Sequence, residues 1–143
     1  MAHKTTTLWK GGMLFESDNP SGNYVLMDTT DEGIPHQKGV SPKAMMLSSL
    51  AGCSGIDIVD ILKKMKITDY NLKIAVEGEL TEEHPKYYHT VYVNYYFSGP
   101  EIDKKKCNRA VQLSINKYCG VMEMFRQFAK VETNNYFHIA TKR

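Results

Sequence analysis

Two cysteines carry the chemistry that this sequence indicates. Cys53 stands in a run of small residues, Gly52-Cys53-Ser54-Gly55, which leaves space around its sulfur for a small molecule. Cys119 follows 66 residues later, beside Gly120, at a predicted break between two helices where a thiol is easily exposed. This spacing excludes a local CxxC redox motif and leaves open whether the two sulfurs meet. The alternative for Cys53 is a small, inert core residue, as many free cysteines are.

The remaining reactive residue types favour structural roles. The third cysteine, Cys107, falls on the apolar face of a predicted helix and is interpreted as structural. Asp57 and Asp60 lie one helical turn apart, and Asp60 precedes Lys64 by four residues, so we interpret this pair as a solvated helix face. The sequence contains no glycine-rich nucleotide loop. The histidines lack paired metal-ligand spacing: His3, His36, His84, His89 and His138. We therefore expect no bound cofactor and no metal ion.

Composition and charge narrow the class of protein. A chain of 143 residues that is 42% hydrophobic and 24% charged is typical of one globular domain, which we assign to residues 1–143. A formal net charge of +2 is too small to indicate nucleic acid or a membrane surface as a partner. The N-terminus has no apolar export signal, and the most apolar segment, 45–62, is interrupted by Asp57 and Asp60. We expect a cytoplasmic protein whose cysteines form no static disulfide.

The pattern of apolar and turn-forming residues predicts an α+β fold. Ser41-Pro42 is a strong helix start, and a long helix is expected from there to about Lys66. A polar loop over 29–40 precedes that helix. The predicted strands cover 5–10, 13–15, 24–27, 72–80, 87–97 and 131–140. Further helices are predicted over 103–118 and 121–129.

The long helix also predicts assembly. Its apolar residues cover much more than one stripe, so most of its surface must be buried. Ser48, Ser49, Gly52 and Gly55 form a strip of small residues along which a second helix could approach closely. A single domain of this size cannot easily cover such a helix on every side. We expect a homodimer in which the partner chain covers part of it.

Two long motifs resemble the OsmC/Ohr family. Residues 41–64, SPKAMMLSSLAGCSGIDIVDILKK, are similar to the central helix of that family, most closely to its YhfA-like subgroup. Residues 108–121, NRAVQLSINKYCGV, are similar to the second motif of the same subgroup. The motifs occur in the family's order, and the predicted strands fit between and around them. The resemblance covers essentially the whole chain.

The resemblance implies an intertwined homodimer, with a long central helix packed against antiparallel β-sheets. It places Cys53 at the peroxidatic position and Cys119 at the resolving position of a thiol peroxidase. In active members the first thiolate attacks an organic hydroperoxide and becomes a sulfenic acid. The second thiol then closes a disulfide that an external dithiol reduces. The implied partners are therefore an organic hydroperoxide or another apolar small molecule, and a dithiol reductant.

The chain departs from the family at two activating residues. Active members hold an arginine from the N-terminal half with a glutamate that precedes the peroxidatic cysteine, and the arginine lowers the pKa of the thiol. Here the first arginine is Arg109, and the glutamate positions are occupied by Lys43 and Ala44. Arg126 or the partner chain could supply the charge instead. The alternative hypothesis is a catalytically weak protein that binds an apolar molecule or senses oxidant through Cys53.

Overall fold

The computed structural model describes residues 1–29 and 37–139, which form two compact units, Met1–Met46 and Leu47–Arg143. The first unit holds an antiparallel sheet in the order β1-β2-β3. Its strands are β1 (Thr7–Trp9), β2 (Phe15–Asp18) and β3 (Tyr24–Met27). Gly11 and Gly12 both have positive φ and make the turn after β1. The second strand was predicted over 13–15, but it begins only at Phe15 and runs to Asp18. Most of the predicted loop, residues 30–36, lies outside the described residues.

The long helix α1 (Pro42–Lys64) begins and ends close to the predicted residues. Proline suits the first helical position because its missing N–H needs no partner there. At the other end Lys66 takes a left-handed conformation, with φ of 63°. Its N–H donates to the Lys63 carbonyl, and that of Ile67 to the Leu62 carbonyl. This pair of bonds is a Schellman motif, which ends a helix by satisfying its last carbonyls.

One face of α1 packs into the hydrophobic core of the second unit. Its buried residues, Leu50, Ser54, Ile58 and Leu62, recur every four positions and therefore lie on one stripe. By length and apolar composition alone the helix could also cross a membrane, a test that the core helices of soluble proteins pass as well. The rest of the core comes from the central strand and the later helices: Val91, Val93, Tyr95, Phe97, Cys107, Ala110, Val111, Ile115, Met122 and Phe125.

The second sheet is mixed, in the order β4-β5-β6. β4 (Asn71–Leu80) and β5 (Tyr88–Gly99) form an antiparallel hairpin, but β6 (Lys130–Ile139) pairs parallel to β5. The expectation of purely antiparallel sheets is therefore corrected for this one pair. A long connection through α2 (Lys104–Leu113), a π-helix (Ser114–Tyr118) and α3 (Gly120–Phe128) brings the chain back to the same end of the sheet. The predicted final residue of β6, Ala140, lies outside the described residues.

A β-bulge at Glu79 and Leu80 changes the face on which one tyrosine lies. Strict alternation along β5 would put Tyr88 on the same face as Tyr92 and Tyr96, opposite the buried side chains of that strand. The register skips a residue between Thr90 and Tyr88, so Tyr88 turns to the buried face and only 7% of it is exposed. Its ring covers Gly78 so closely that a Cβ there would lie 2.5 Å from Tyr88 Cδ1.

We expect Gly78→Ala to destabilise the second unit by about 1 to 3 kcal/mol, because the added methyl group forces a buried ring out of its position. Urea unfolding followed by circular dichroism measures the change. Gly120→Ala is the matched control, since a Cβ at that position meets nothing within 4 Å. Equal stability of the two variants would contradict the predicted contact between the ring and the backbone.

A buried hydrogen bond joins α1 to the middle of β5. The Tyr95 hydroxyl donates to Ser54 Oγ at 2.9 Å, and Ser54 Oγ donates to the Ala51 carbonyl at 3.3 Å. Both side chains are fully buried, so each polar group needs the partner that it finds here. Burial raises the pKa of Tyr95 to about 12, although the hydrogen bond to Ser54 has the opposite effect and lowers this pKa. The bond sits one residue from Cys53 and fixes that part of α1 against the sheet.

The raised pKa of Tyr95 predicts a loss of stability in alkali. Because the folded state holds this proton more tightly than the unfolded state, whose tyrosine pKa is about 10, the stabilisation is complete below pH 10. It declines as the pH rises towards 12. We expect Tyr95→Phe to be less stable than wild type by about 1 kcal/mol at neutral pH. That difference should shrink above about pH 10.

Urea unfolding of wild type and Tyr95→Phe across that pH range checks the prediction. Tyr87→Phe changes a half-exposed ring and controls for the loss of a tyrosine hydroxyl. A wild-type advantage over Tyr95→Phe that stays constant through the alkaline range would contradict it.

Candidate active site

The structure brings Cys53 and Cys119 together. The two Sγ atoms and a carboxylate oxygen of Asp57 all lie within 4.8 Å of one another. Both cysteines are free thiols. Cys53 is half-buried in the middle of α1, whereas Cys119 is only 4% exposed at the junction of the π-helix and α3. The spacing of the sequence left open whether these sulfurs meet, and in the fold they do.

The π-helix places Cys119 at this junction. The Cys119 N–H donates to the Ser114 carbonyl at 2.8 Å, five residues back, so the helix is wider here than an α-helix. The chain then turns extended at Cys119, with φ of −79° and ψ of 101°, and α3 starts at the next residue. Cys119 is thus the N-cap of α3, and its sulfur accepts a hydrogen bond from the Met122 N–H at 3.3 Å. This contact directs the sulfur inward.

Two opposing effects act on the Cys119 thiol. Burial and a hydrogen bond with Cys53 raise the pKa of Cys119 to about 11, and the bond from the Met122 N–H lowers it. The charge of Asp57 adds a smaller increase of the same pKa. Cys119 therefore stays a neutral thiol at physiological pH, and its S–H group donates a hydrogen bond to the sulfur of Cys53. A buried thiol with a raised pKa is a weak nucleophile, because the thiolate is the reactive form.

Asp57 is the site residue that sequence reasoning missed. Its interpretation as part of a solvated helix face is wrong, because its carboxylate is half-buried beside the two thiols. The Ser114 hydroxyl lies 3.2 Å from Asp57 Oδ2 and 3.1 Å from the Ser54 carbonyl oxygen, and can donate its one proton to either. The available signal was the spacing: Asp57 follows Cys53 by four residues and so lies on the same helix face. The interpretation holds for Asp60, whose exposed carboxylate pairs with Lys64 at 2.9 Å.

Cys107 and Arg126 take no direct part in this cluster. Cys107 is fully buried in the core, as predicted, and burial raises the pKa of its thiol to about 11. Arg126 Nη1 donates to the Ile115 carbonyl at 2.6 Å, and Nη2 donates to Asn116 Oδ1 at 3.3 Å. The guanidinium therefore ties α3 to the π-helix. Among the described residues Asp57 forms no ion pair.

A cavity of about 360 Å³ borders the cluster through Asp57. Its lining combines apolar side chains with one ion pair and one phenol: Asp57, Asp60, Ile61, Lys64, Met65, Leu113 and Tyr118. The size suits a small organic molecule with an apolar body.

Comparison with known proteins agrees with this architecture. The family model described as OsmC-like protein matches residues 35–134. The chain is 31% identical over 132 residues to the protein YhfA of Escherichia coli strain K12, covering 92% of this chain and 95% of that protein. A crystal structure of a hypothetical protein from Aquifex aeolicus VF5 superposes with a TM-score of 0.79 at 26% identity, over 96% of this chain and 98% of that one.

A more distant neighbour has a named role. The crystal structure of the organic hydroperoxide resistance protein OhrB of Bacillus subtilis superposes with a TM-score of 0.62 at 16% identity, over 94% of this chain and 98% of that one. At this identity the likeness establishes the shared fold alone. The family match and the relative at 31% identity confirm the resemblance seen in the two sequence motifs. This chain therefore belongs to the family of OsmC-like proteins.

Proposed function

We propose that this protein reduces organic hydroperoxides, with Cys53 as the peroxidatic and Cys119 as the resolving cysteine. The observation that carries the proposal is the approach of the two sulfurs to within 4.8 Å, although 66 residues separate them in the sequence. Membership of the OsmC-like family and the likeness to a protein named for organic hydroperoxide resistance support the same chemistry. Regeneration by an external dithiol places the protein in a reducing compartment, the cytoplasm.

The exposures of the two sulfurs support this assignment of roles. A hydroperoxide has to reach the attacking thiolate from solvent, and Cys53 is the more exposed of the pair. Cys119 is buried, which protects it from direct oxidation and leaves it accessible mainly to a group already formed on Cys53. The opposite assignment would need the peroxide to enter the core.

The proposed reaction has two steps on the protein. The Cys53 thiolate attacks the distal oxygen of the hydroperoxide, so that the S–O bond forms, the O–O bond breaks and the alkoxide leaves as an alcohol after taking a proton. The Cys119 sulfur then attacks the sulfenic sulfur, which forms the disulfide and releases the hydroxyl group as water. A dithiol reductant restores both thiols and is itself oxidised to a disulfide.

The N-cap position of Cys119 assists the second step. Negative charge develops on this sulfur as it gives up its proton, and the Met122 N–H already points at it from 3.3 Å. A helix N-terminus favours a thiolate for the same reason that it favours any anion. The sulfurs must close from within 4.8 Å to a bond of about 2.05 Å, a shift that Cys119 can make at a chain junction.

The Asp57 carboxylate favours a slow reaction and is the observation behind the second candidate function. The negative charge of Asp57 raises the pKa of Cys119 and so opposes the thiolate that would close the disulfide. A protein with such a site would record oxidant as a Cys53–Cys119 disulfide without efficient turnover. Both the peroxidase and the oxidant sensor allow one oxidation of the two thiols. They differ in how fast the protein is oxidised and reduced repeatedly when a dithiol is present.

We expect the reduced protein to consume one equivalent of cumene hydroperoxide faster than free cysteine does, and to gain a Cys53–Cys119 disulfide. Cys53→Ser should lower the rate to that of free cysteine, because it removes the attacking sulfur. Cys119→Ser should still react once and stop at a sulfenic acid, which dimedone traps as an adduct visible by intact-mass analysis.

Cys107→Ala is the matched control, since it removes a cysteine that lies outside the cluster. Its rate should equal that of wild type. Wild-type oxidation no faster than free cysteine, or a rate unaffected by Cys53→Ser, would overturn the peroxidase. Rapid oxidation in a single cycle followed by negligible turnover with dithiothreitol would favour the oxidant sensor.

We also propose that two chains associate through the outer face of α1. Ile56 is 73% exposed and Val59 48% exposed, and both border an open apolar groove of about 670 Å³. Gly52 and Gly55 lie on the same groove and permit close approach of a second helix. Exposed apolar patches of this kind mark association surfaces. A second copy of the same helix offers a matching surface.

We expect wild type to sediment as a dimer at micromolar concentration and Ile56→Glu to sediment as a monomer, because each interface would bury two unpaired carboxylates. Met124→Glu is the control, a similar change at a 65% exposed residue of α3. Analytical ultracentrifugation measures both. A monomeric wild type, or dissociation by Met124→Glu to the same extent, would contradict the proposed interface.

A further inference from the structure

The thiols and the carboxylate of the candidate active site are also a set of metal ligands. Cys53 and Cys119 each offer a sulfur and Asp57 offers an oxygen, with all three atoms within 4.8 Å of one another. Two thiolates select a soft or borderline cation, of which Zn²⁺ is the commonest in proteins. Zn–S bonds of about 2.3 Å and a Zn–O bond of about 2.1 Å set neighbouring ligand atoms roughly 3.6 to 3.8 Å apart in a tetrahedron. The observed triangle needs a contraction of about 1 Å at most to reach that geometry.

The contacts around the three ligands already orient them. The Ser114 hydroxyl can donate to Asp57 Oδ2, which holds the carboxylate and leaves its other oxygen for a cation. The Met122 N–H donates to the Cys119 sulfur, and a sulfur can keep that bond when it binds a metal. Hydrogen bonds of this kind to ligand atoms are a regular feature of metal sites in proteins.

Charge favours a cation at the same point. Metal binding displaces the thiol protons into solvent, and the two resulting thiolates and the carboxylate would repel one another without a cation. In residues 1–29 and 37–139 no basic side chain pairs with Asp57. The guanidinium of Arg126 donates to the π-helix instead. A dication at the centre of the triangle would turn the repulsion into attraction to a shared charge.

We propose that the reduced protein binds one Zn²⁺ per chain through Cys53, Asp57 and Cys119, with water as the fourth ligand. The same sulfurs cannot hold the metal and form a disulfide, so metal binding and oxidation exclude each other. When a hydroperoxide oxidises the bound thiolates, it takes two electrons from the sulfurs and two protons from solvent. The products are the disulfide, an alcohol, water and free Zn²⁺. Metal binding itself needs no peroxidase activity.

Zinc binding is tested with metal-free, reduced protein at neutral pH, in competition with a chromophoric chelator. We expect one equivalent per chain for wild type, no stoichiometric binding by Cys53→Ser or Cys119→Ser, and an affinity at least about tenfold lower for Asp57→Asn, because a neutral amide is a poorer ligand. Asp60→Asn is the matched control on the same helix and should bind as wild type does. Co²⁺ in place of Zn²⁺ should give thiolate-to-metal charge-transfer absorption.

A second comparison uses wild type alone, so it does not depend on the folding of any variant. Oxidation of wild type by diamide should abolish zinc binding. Absence of a stoichiometric site in reduced wild type would overturn the proposal. Equal affinities of Asp57→Asn and Asp60→Asn would also overturn it, since the third ligand would then be wrong. Peroxide consumption is measured separately on metal-free protein, so either proposal can fail alone.

Discussion

The hydroxyl of Ser114 joins the two segments on which the site depends. It lies within hydrogen-bond distance of the Ser54 carbonyl oxygen and of Asp57 Oδ2, so the first residue of the π-helix is held against the middle of α1. The π-helix ends at Tyr118, and the next residue is Cys119, whose sulfur is thereby brought to Cys53. The bond is fully buried on the serine side, where an unpaired hydroxyl would be costly. This one contact between Ser114 and α1 therefore brings together two cysteines from distant parts of the chain.

Tyr95 also holds α1 at Ser54, by donating to the Ser54 hydroxyl from the centre of the sheet. Ser54 therefore meets the sheet through its side chain and the π-helix through its carbonyl group. A helix held at one residue from two directions cannot slide or rotate freely, and Cys53 is the adjacent residue. The site is thus built on rigid elements, although its second cysteine sits at a chain junction.

Local patterns in the sequence predicted the elements well and their mutual arrangement poorly. The Ser41-Pro42 start and the alternation in β4 and β5 are signals within one segment, and each element appears within a few residues of its predicted range. The parallel pairing of β6 with β5 has no such signal, because alternation is the same in either direction. The inward turn of Tyr88 arises from a bulge set by the hairpin partner. Asp57 looked like a surface residue because its partner, Ser114, comes 57 residues later.

Electrostatics sets the order in which the two thiols can act. In the proposed reaction the deeper thiol keeps its proton at first, because burial and the bond with Cys53 raise the pKa of Cys119. In that proposed reaction, attack on a peroxide turns the Cys53 thiolate into a neutral sulfenic acid and so removes one negative charge from the cluster. Only then can Cys119 ionise with less repulsion, helped by the Met122 N–H. The first proposed step thus removes a charge that opposes the second, and this orders the two steps without an arginine beside Cys53.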